Sequence, residues 1–153
     1  MMNLQCIAHA ALIYTFQNPI PKVNKLKQSM KTNEKSEFVV REYFRRIKSG
    51  DVQGSLNLFS DNAVVHEPFS KSRYLSGKSE IEPFLNSVVM ANQGLDYGLK
   101  IEKDNQGDNT VVIADVIFRK ENTIRCMITF QLENTKPDKS VRTIKRMDIE
   151  FVD

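Results

Sequence analysis

The hydrophobic residues of this chain change their spacing once, close to Leu95, and that change constrains the fold more than any other feature. Before Leu95 most apolar side chains recur every three or four residues, as on one side of an α-helix. After it they alternate with polar side chains, as in strands with one buried face. Polar turn segments divide this second part and predict strands near 95–103, 110–119, 123–133 and 141–151. Helices followed by an antiparallel meander predict an α+β domain.

The first half of the domain contains clear signals for the ends of two helices. Ser36 can cap a helix that runs to about Ser49, and Gly50 suits the position just after its end. Asp51 is a good N-cap for a short second helix. A strand is then predicted over residues 63–67.

A third helix is predicted after Gly77. Ser79 is its expected N-cap, and Ile81 and Leu85 would lie on its buried side. Pro83 has no N–H and fits only the first turn of a helix without disturbance. The sequence therefore predicts the first residue of this helix only to within a few positions.

The N-terminal part differs in composition. Residues 1–21 carry no charged side chain, and four lysines without an acid follow them. The apolar centre, residues 7–13, is too short to span a membrane, and it lacks the preceding basic residues and the cleavage site of a signal peptide. Three interpretations stay open: a true start at Met30, a disordered arm, or a weak membrane or targeting element. We predict that residues 1–32 are an extension, either disordered or assigned from too early a start, and that residues 33–153 form one domain.

The order of elements between Glu37 and Leu85 resembles that of the SnoaL-like and ketosteroid-isomerase-like proteins of the nuclear transport factor 2 (NTF2)-like superfamily. The segment reads EFVVREYFRRIKSGDVQGSLNLFSDNAVVHEPFSKSRYLSGKSEIEPFL. A helix ends at a glycine, Asp51 begins a second helix, a strand ends at His66-Glu67-Pro68, and a glycine precedes a third helix. The resemblance implies a cone in which three N-terminal helices pack on a strongly curved, mostly antiparallel sheet around a ligand cavity. Enzymes and non-enzymatic modules share this fold, so it names no substrate.

The resemblance assigns two candidate catalytic residues, Tyr43 and Glu67. In ketosteroid isomerases a tyrosine at this place on the first helix donates a hydrogen bond to the developing oxyanion, and an acid followed by proline moves the proton. Tyr43 stands seven residues before Gly50, and Glu67 precedes Pro68, with Glu where those isomerases have Asp. Their second, protonated acid would fall near Ile128, which cannot donate. Loss of such a donor typically costs about a hundredfold or more in rate, which argues against authentic steroid isomerisation.

Each candidate also has a plainer interpretation. Tyr43 fits a core aromatic residue with its hydroxyl at the surface, and Glu67 fits a solvated carboxylate at a strand end. Strand alternation turns His66 away from Glu67, although relatives that are dehydratases or cyclases use His and Asp in the cavity. Asp115 interrupts an apolar run and needs a partner, for which Arg125 on the next strand is suitable. The two form either an ion pair on the outer sheet face or a polar cluster like that of epoxide-opening relatives.

One strand of the meander presents an all-apolar face made of Ile124, Cys126, Ile128, Phe130 and Leu132. If this face borders a cavity, Ile128 and Phe130 are candidate pocket residues. If it fills the cone, no room is left for a substrate. In either case Cys126 is interpreted as a small buried hydrophobic residue.

Composition sets the remaining expectations. The chain has 153 residues with 41% hydrophobic and 27% charged side chains, which is ordinary for one globular domain. The net charge of +3 resides in the N-terminal lysines, so the domain carries no electrostatic footprint for nucleic acid. The two cysteines are unclustered, which gives no metal signature and fits a reducing, cytoplasmic location. We expect a small apolar ligand or substrate and a homodimer, as in many relatives, with no cofactor, metal, nucleic acid or membrane partner.

Two functional hypotheses follow from the sequence, beside a third and weaker one, a protein-transport adaptor like nuclear transport factor 2, that no specific residue supports. In the first, the domain is a cofactor-independent isomerase, cyclase or dehydratase that acts by general acid–base catalysis on an apolar carbonyl substrate. In the second, it is a non-catalytic ligand-binding or dimerisation module. The volume of the cavity should separate them.

Overall fold

The computed structural model of the chain describes residues 20–69, 74–106, 109–134 and 142–153. The chain divides into two compact units, Met1–Glu34 and Lys35–Asp153, and the account below concerns the second. The first nineteen residues of the predicted N-terminal extension lie outside the described residues.

Three helices and six strands occur within the described residues. The helices are α1 (Ile20–Ser49), α2 (Val52–Leu56) and α3 (Lys78–Asn92). The strands are β1 (Phe59–His66), β2 (Tyr74–Ser76), β3 (Tyr97–Gln106), β4 (Asn109–Phe118), β5 (Ile124–Asn134) and β6 (Arg142–Val152).

Helix α1 begins earlier than predicted. Ser36 was expected to cap it, but Ser36 lies inside the helix and is fully buried. The prediction was wrong because residues 22–35 contain neither Gly nor Pro and are rich in good helix formers. The Ser36 hydroxyl instead accepts a hydrogen bond from Nη1 of Arg142 on β6, at 2.7 Å.

The turn from α1 into α2 follows the prediction. Gly50 has a φ of +80°, the left-handed conformation that glycine adopts most readily after a helix. The N–H of Asp51 donates to the carbonyl of Arg46 at 2.9 Å, which closes the last turn of α1. Oδ1 of Asp51 then accepts from the N–H of Gly54 at 2.8 Å, so its role as the N-cap of α2 is confirmed.

Helix α3 begins at Lys78 and not after Ser79. Its N-cap is Gly77, with no capping hydrogen bond from a side chain, so the prediction of Ser79 as the cap was wrong. The N–H of Gly77 donates to the carbonyl of Ala63 on β1 at 2.9 Å, which anchors the chain to the sheet just before the helix. Because the helix starts there, Pro83 falls in its second turn, beyond the position that a proline tolerates most easily.

The six strands form one curved, mixed sheet in the order β2-β1-β6-β5-β4-β3. Neighbouring strands are antiparallel except β1 and β6, which pair in parallel. The register shifts between Phe59 and Val64 and between Gln131 and Leu132, and such irregularities bend a sheet. The α+β fold class and the helices-then-meander order are confirmed, whereas the short strand β2 was not predicted.

The core lies between the helices and one face of the sheet. Alternation along β5 places Cys126, Ile128, Phe130 and Leu132 on that face. Four aromatic residues pack edge to face at its centre, with the ring centroid of Tyr43 at 5.2 Å from Phe44, 6.2 Å from Phe59 and 5.5 Å from Phe130. Such pairs stabilise a core beyond the burial of their area.

The solvent side of α1 carries a charge network centred on Glu42. Its carboxylate accepts hydrogen bonds from Nε of Arg45 and Nε of Arg46, both at 2.8 Å. These hydrogen bonds lower the pKa of Glu42 to about 2.

Arg142, at the start of β6, is a buried cation. Its guanidinium donates to the hydroxyls of Ser36 and Thr110, and burial lowers its pKa. Within the described residues no carboxylate pairs with it. The two hydroxyls therefore compensate a charge that burial would otherwise disfavour strongly.

Candidate functional site

A cavity of about 640 Å³ lies between α1, α3 and the inner face of the sheet. Its wall is mostly apolar and includes Phe44, Phe84, Val88 and Ile149. From the apolar face of β5, Ile124, Cys126 and Ile128 border the cavity, while Phe130 and Leu132 lie in the packed core. The inner face therefore does not fill the cone, and the space suits a small apolar molecule.

Tyr43 lies at the deep end of this cavity. Its side chain is 2% exposed and borders the cavity, and its ring is held by Phe44, Phe59 and Phe130. Burial raises the pKa of its hydroxyl above the usual value, so the group stays protonated at neutral pH. Among the described residues this hydroxyl has no hydrogen-bond partner. It is a donor available to a bound molecule.

Cys126 is a second polar group in the cavity wall. It is 5% exposed and borders the same cavity as Tyr43. Burial raises the pKa of its thiol, which keeps the sulfur protonated at neutral pH. Besides burial, which is the larger cause, the charge of Cys126 contributes to the raised pKa of Tyr43.

Glu67 lies in the cavity wall near the surface. It follows the last residue of β1 and is half-buried, and Ala63 and Val65 on the same side of β1 are buried. Its Oε2 accepts a hydrogen bond from the N–H of Phe69 at 3.2 Å, which holds the carboxylate at the turn after the strand. Tyr43 and Glu67 thus border one cavity, as does Ile128.

The rim of the cavity combines exposed apolar and charged side chains. Phe69 is 79% exposed and Phe151 is 49% exposed, and their ring centroids lie 5.4 Å apart. Glu80 and Lys120 also border the cavity and are exposed. The Glu80 carboxylate accepts the N–H of Ser76 at 2.7 Å. The charged side chains that border the cavity thus lie at its outer, solvent-exposed end.

His66, a candidate pocket residue, does not border this cavity. It is on the opposite side of β1 from Val65, as strand alternation requires. Its ring lies against Tyr74, with centroids 4.9 Å apart, and its Nδ1 is 4.0 Å from Oδ1 of Asp148. Arg146 completes this outer cluster, with two hydrogen bonds to Asp148 at 2.7 and 3.0 Å.

Asp115 and Phe130 do not border the cavity either. Asp115 lies on the outer face of the sheet and pairs with Arg125 through hydrogen bonds of 2.9 and 2.6 Å, so the predicted ion pair is confirmed. Phe130 is on the inner face but is covered by Tyr43 and Phe44, which fill the space in front of it. It is a core residue behind the cavity.

The sequence did not indicate the cavity role of Cys126 or the rim residues Phe69 and Phe151. Cys126 and Phe151 are cross-strand partners in the register of β5 and β6. The alternation of Ile124, Cys126 and Ile128 gave the correct face, but only the strand register shows what lies opposite.

Neither a metal site nor a membrane-spanning helix is found among the residues that the structure describes. In those segments no group of three or more His, Cys, Asp or Glu side chains converges as a metal site would require. No described helix combines the length and the apolar character needed to cross a membrane.

The sequence matches no family model and no curated protein at a significant level. Its fold, in contrast, matches many solved structures. One is assigned as a calcium/calmodulin-dependent protein kinase type II association domain from Thiobacillus denitrificans, with a TM-score of 0.65, 11% identity, and coverage of 76% of this chain and 94% of that chain. Another is assigned as a dehydratase of the NTF2-like family from Streptomyces avermitilis, with a TM-score of 0.63, 12% identity, and coverage of 80% and 97%.

The canthaxanthin-binding orange carotenoid protein of Anabaena sp. PCC 7120 also matches, with a TM-score of 0.60 and 18% identity over 74% of this chain and 35% of that longer chain. At these identities the similarity concerns the fold. An association domain, a dehydratase and a carotenoid-binding protein share it, so the fold does not decide between the two functional hypotheses. Together with the curved six-stranded sheet and its helices, these matches show that the chain has the fold of the NTF2-like superfamily.

Proposed function

We propose that this domain binds an uncharged apolar small molecule and catalyses proton transfer on it without a cofactor. The single observation that carries the proposal is that Tyr43 and Glu67 border one cavity of about 640 Å³. The reaction class is an isomerisation, cyclisation or dehydration of a molecule with a carbonyl group. The substrate would enter past the rim formed by Phe69 and Phe151.

The chemistry assigns one role to each side chain. The Tyr43 hydroxyl would donate a hydrogen bond to the carbonyl oxygen and stabilise the negative charge that develops there. The Glu67 carboxylate would remove a proton from the carbon next to the carbonyl and return it elsewhere in the product. The apolar wall would keep water away from the enolate while the proton is in transit.

Ile128 limits how fast such a reaction could be. It borders the cavity where the isomerases have a second acidic donor, and its side chain offers no proton. A missing donor of this kind typically lowers the rate by about a hundredfold or more. The proposal therefore predicts a rate at least about a hundredfold below that of a site with two donors.

The test uses α-tetralone, an apolar ketone with exchangeable protons next to its carbonyl. Exchange of these protons for deuterium in D₂O is followed by NMR, and the assay needs no knowledge of the natural product. We expect the protein to accelerate exchange, Glu67→Gln to lose about a hundredfold or more of the acceleration, and Tyr43→Phe to lose at least about tenfold.

Glu80→Gln is the matched control, because Glu80 also borders the cavity at its rim and carries the same charge. Its acceleration should stay within about twofold of the wild type. Exchange that is no faster with the wild-type protein than with Glu67→Gln would contradict the proposed catalysis.

The second candidate function is a non-catalytic ligand-binding or dimerisation module. The apolar wall, the replacement of the second acid by Ile128, and a relative named for canthaxanthin binding favour it. On this proposal α-tetralone would bind without faster exchange, and Glu67→Gln would not change the affinity. Sedimentation of the purified chain would test the homodimer that the sequence led us to expect.

A further inference from the structure

We infer that two copies of this chain associate through the edge of β3 that faces away from β4, by antiparallel pairing of β3 with the β3 of the second copy. The two sheets would then form one continuous sheet with a two-fold axis at Ile101. The sequence led us to expect a homodimer without assigning its interface. The inference goes beyond the proposed function, because it does not depend on what the cavity binds.

The backbone of β3 provides the first argument. β3 is the last strand of the sheet, and its ten residues, Tyr97–Gln106, pair with β4 without a register shift. In an antiparallel edge strand about every second N–H and C=O points away from the neighbouring strand. Within the described residues, the backbone of residues 98–103 has hydrogen-bond partners only on β4. Its outward groups therefore form a row of donors and acceptors that can pair with another strand.

β3 lacks several of the features that keep sheet edges from pairing. It contains no proline and no β-bulge, and it is long, whereas the opposite edge strand, β2, has only three residues. Charged side chains can also protect an edge. The pairing is therefore possible only in a register that compensates the charges of Lys100, Glu102 and Lys103.

The charges on the outer face select one such register. Lys100 and Glu102 are 74% and 66% exposed, and their Nζ and Oε1 atoms lie 3.2 Å apart. If Ile101 lies opposite its own copy, each Lys100 lies opposite Glu102 of the second copy, twice by symmetry. Opposite charges at such positions stabilise a strand pair, whereas registers centred on Lys100 or Glu102 would place a charge opposite itself. The favoured register pairs residues 97–105, nearly the whole strand.

The inner face of β3 is compatible with the same register. Leu99 and Ile101 are half-buried and pack against the core. The two Ile101 side chains would meet at the axis, and Leu99 would lie opposite Lys103 of the second copy. Nζ of Lys103 is 2.7 Å from Oε2 of Glu37 on α1, so its charge is already compensated. Its alkyl chain is then available to cover Leu99.

The experiment measures the dissociation constant of the full-length chain by sedimentation equilibrium. Lys100→Glu and Glu102→Lys each turn both ion pairs of the interface into like-charge pairs. An equimolar mixture of these two variants has opposite charges at both places again, in a heterodimer. Lys145→Glu and Glu150→Lys are the matched controls, because both residues are exposed on β6 and the charge changes are the same.

We expect the wild type to dimerise and each single β3 variant to raise the dissociation constant by at least about tenfold. The mixture should return to within about threefold of the wild type, because its two ion pairs are restored. Both β6 controls should stay within about twofold of the wild type, because an exposed charge away from the interface contributes little.

Hydrogen exchange followed by NMR examines the edge itself. In the dimeric wild type the amides of residues 98–103 should all exchange slowly, because both edges of β3 are paired. In monomeric Lys100→Glu every second one of them should exchange fast.

A wild type that stays monomeric, or single β3 variants that dimerise as tightly as the wild type, would overturn the inference. So would a mixture of the two variants that stays monomeric. Dissociation by Glu150→Lys but not by the β3 variants would show that the copies associate through the outer face of the sheet instead. Fast exchange of alternate β3 amides in a wild-type dimer would likewise exclude the edge.

Discussion

Phe130 and Ile128 are neighbours on the inner face of β5, and they should respond differently to truncation to alanine. They are 0% and 4% exposed, so exposure alone predicts similar losses of stability. They differ because Ile128 borders the cavity and Phe130 does not. A side chain beside a cavity has fewer atoms to contact on that side, so it contributes less dispersion energy to the folded state.

The expected magnitudes follow from this difference. Phe130→Ala should lower the free energy of unfolding by about 3–5 kcal/mol, toward the upper end because the ring contacts with Tyr43 and Phe44 at 5.5 and 6.1 Å are also lost. Ile128→Ala should lower it by only about 1–2 kcal/mol. That is below the usual range for a buried isoleucine, because the space it leaves merges with an existing cavity and creates no separate one.

Urea unfolding followed by circular dichroism measures both values. The slope of the free energy against urea concentration should be the same in the wild type and both variants, which shows that the compared states are the same. Equal losses in the two variants, or a larger loss for Ile128→Ala, would refute the reasoning. Either result would mean that Ile128 is packed on all sides and that the cavity is closed in solution.

Three further predictions concern the side chains of Glu42, Thr110 and Cys126. Because the pKa of Glu42 is lowered in the folded state, its carboxylate should stabilise the fold above its usual pKa, and this stabilisation should disappear as the pH falls from about 5 toward 2. In acid unfolding measurements, the free energy of unfolding of Glu42→Gln should therefore fall less over this pH range than that of the wild type, by up to about 1 kcal/mol. An identical pH profile of the two proteins would contradict this. Thr110→Val removes a hydroxyl acceptor from the buried Arg142 and should cost about 1–3 kcal/mol in urea unfolding; no cost would mean that water reaches the guanidinium. In a Cys6→Ser protein, Cys126 should react with iodoacetamide more slowly than free cysteine at neutral pH and faster as the pH rises; reaction at the free rate would show an exposed thiolate.

The element order could be predicted from the sequence because each element has a local cause. Gly50 and Asp51 end one helix and begin the next through their own backbone and side-chain hydrogen bonds, so the prediction there was right. The start of α1 could not be placed from a capping residue alone, because Ser36 is a good cap that the helix passes through. β2 has only three residues, too few to show any alternation.

The site was predictable only in part. The resemblance suggested Tyr43 and Glu67, and strand alternation correctly set His66 on the other side of β1. The volume of the cavity depends on how far the sheet bends away from the helices, which no local pattern encodes. Cys126 on β5 and Tyr43 on α1 are far apart in the sequence, so that they border one cavity could be recognised only in the folded structure.

The parallel pairing of β1 with β6 bears on the order in which the fold can form. Ser60 on β1 hydrogen-bonds to the carbonyl of Ile144 on β6, 84 residues away along the chain. During synthesis the antiparallel pairs of β3, β4 and β5 can assemble as they emerge, but β1 and β2 have to wait for β6 to join them to that sheet. A nascent chain that stalls before β6 would therefore expose the edge of β1 that β6 pairs with, which would make it a target for chaperones.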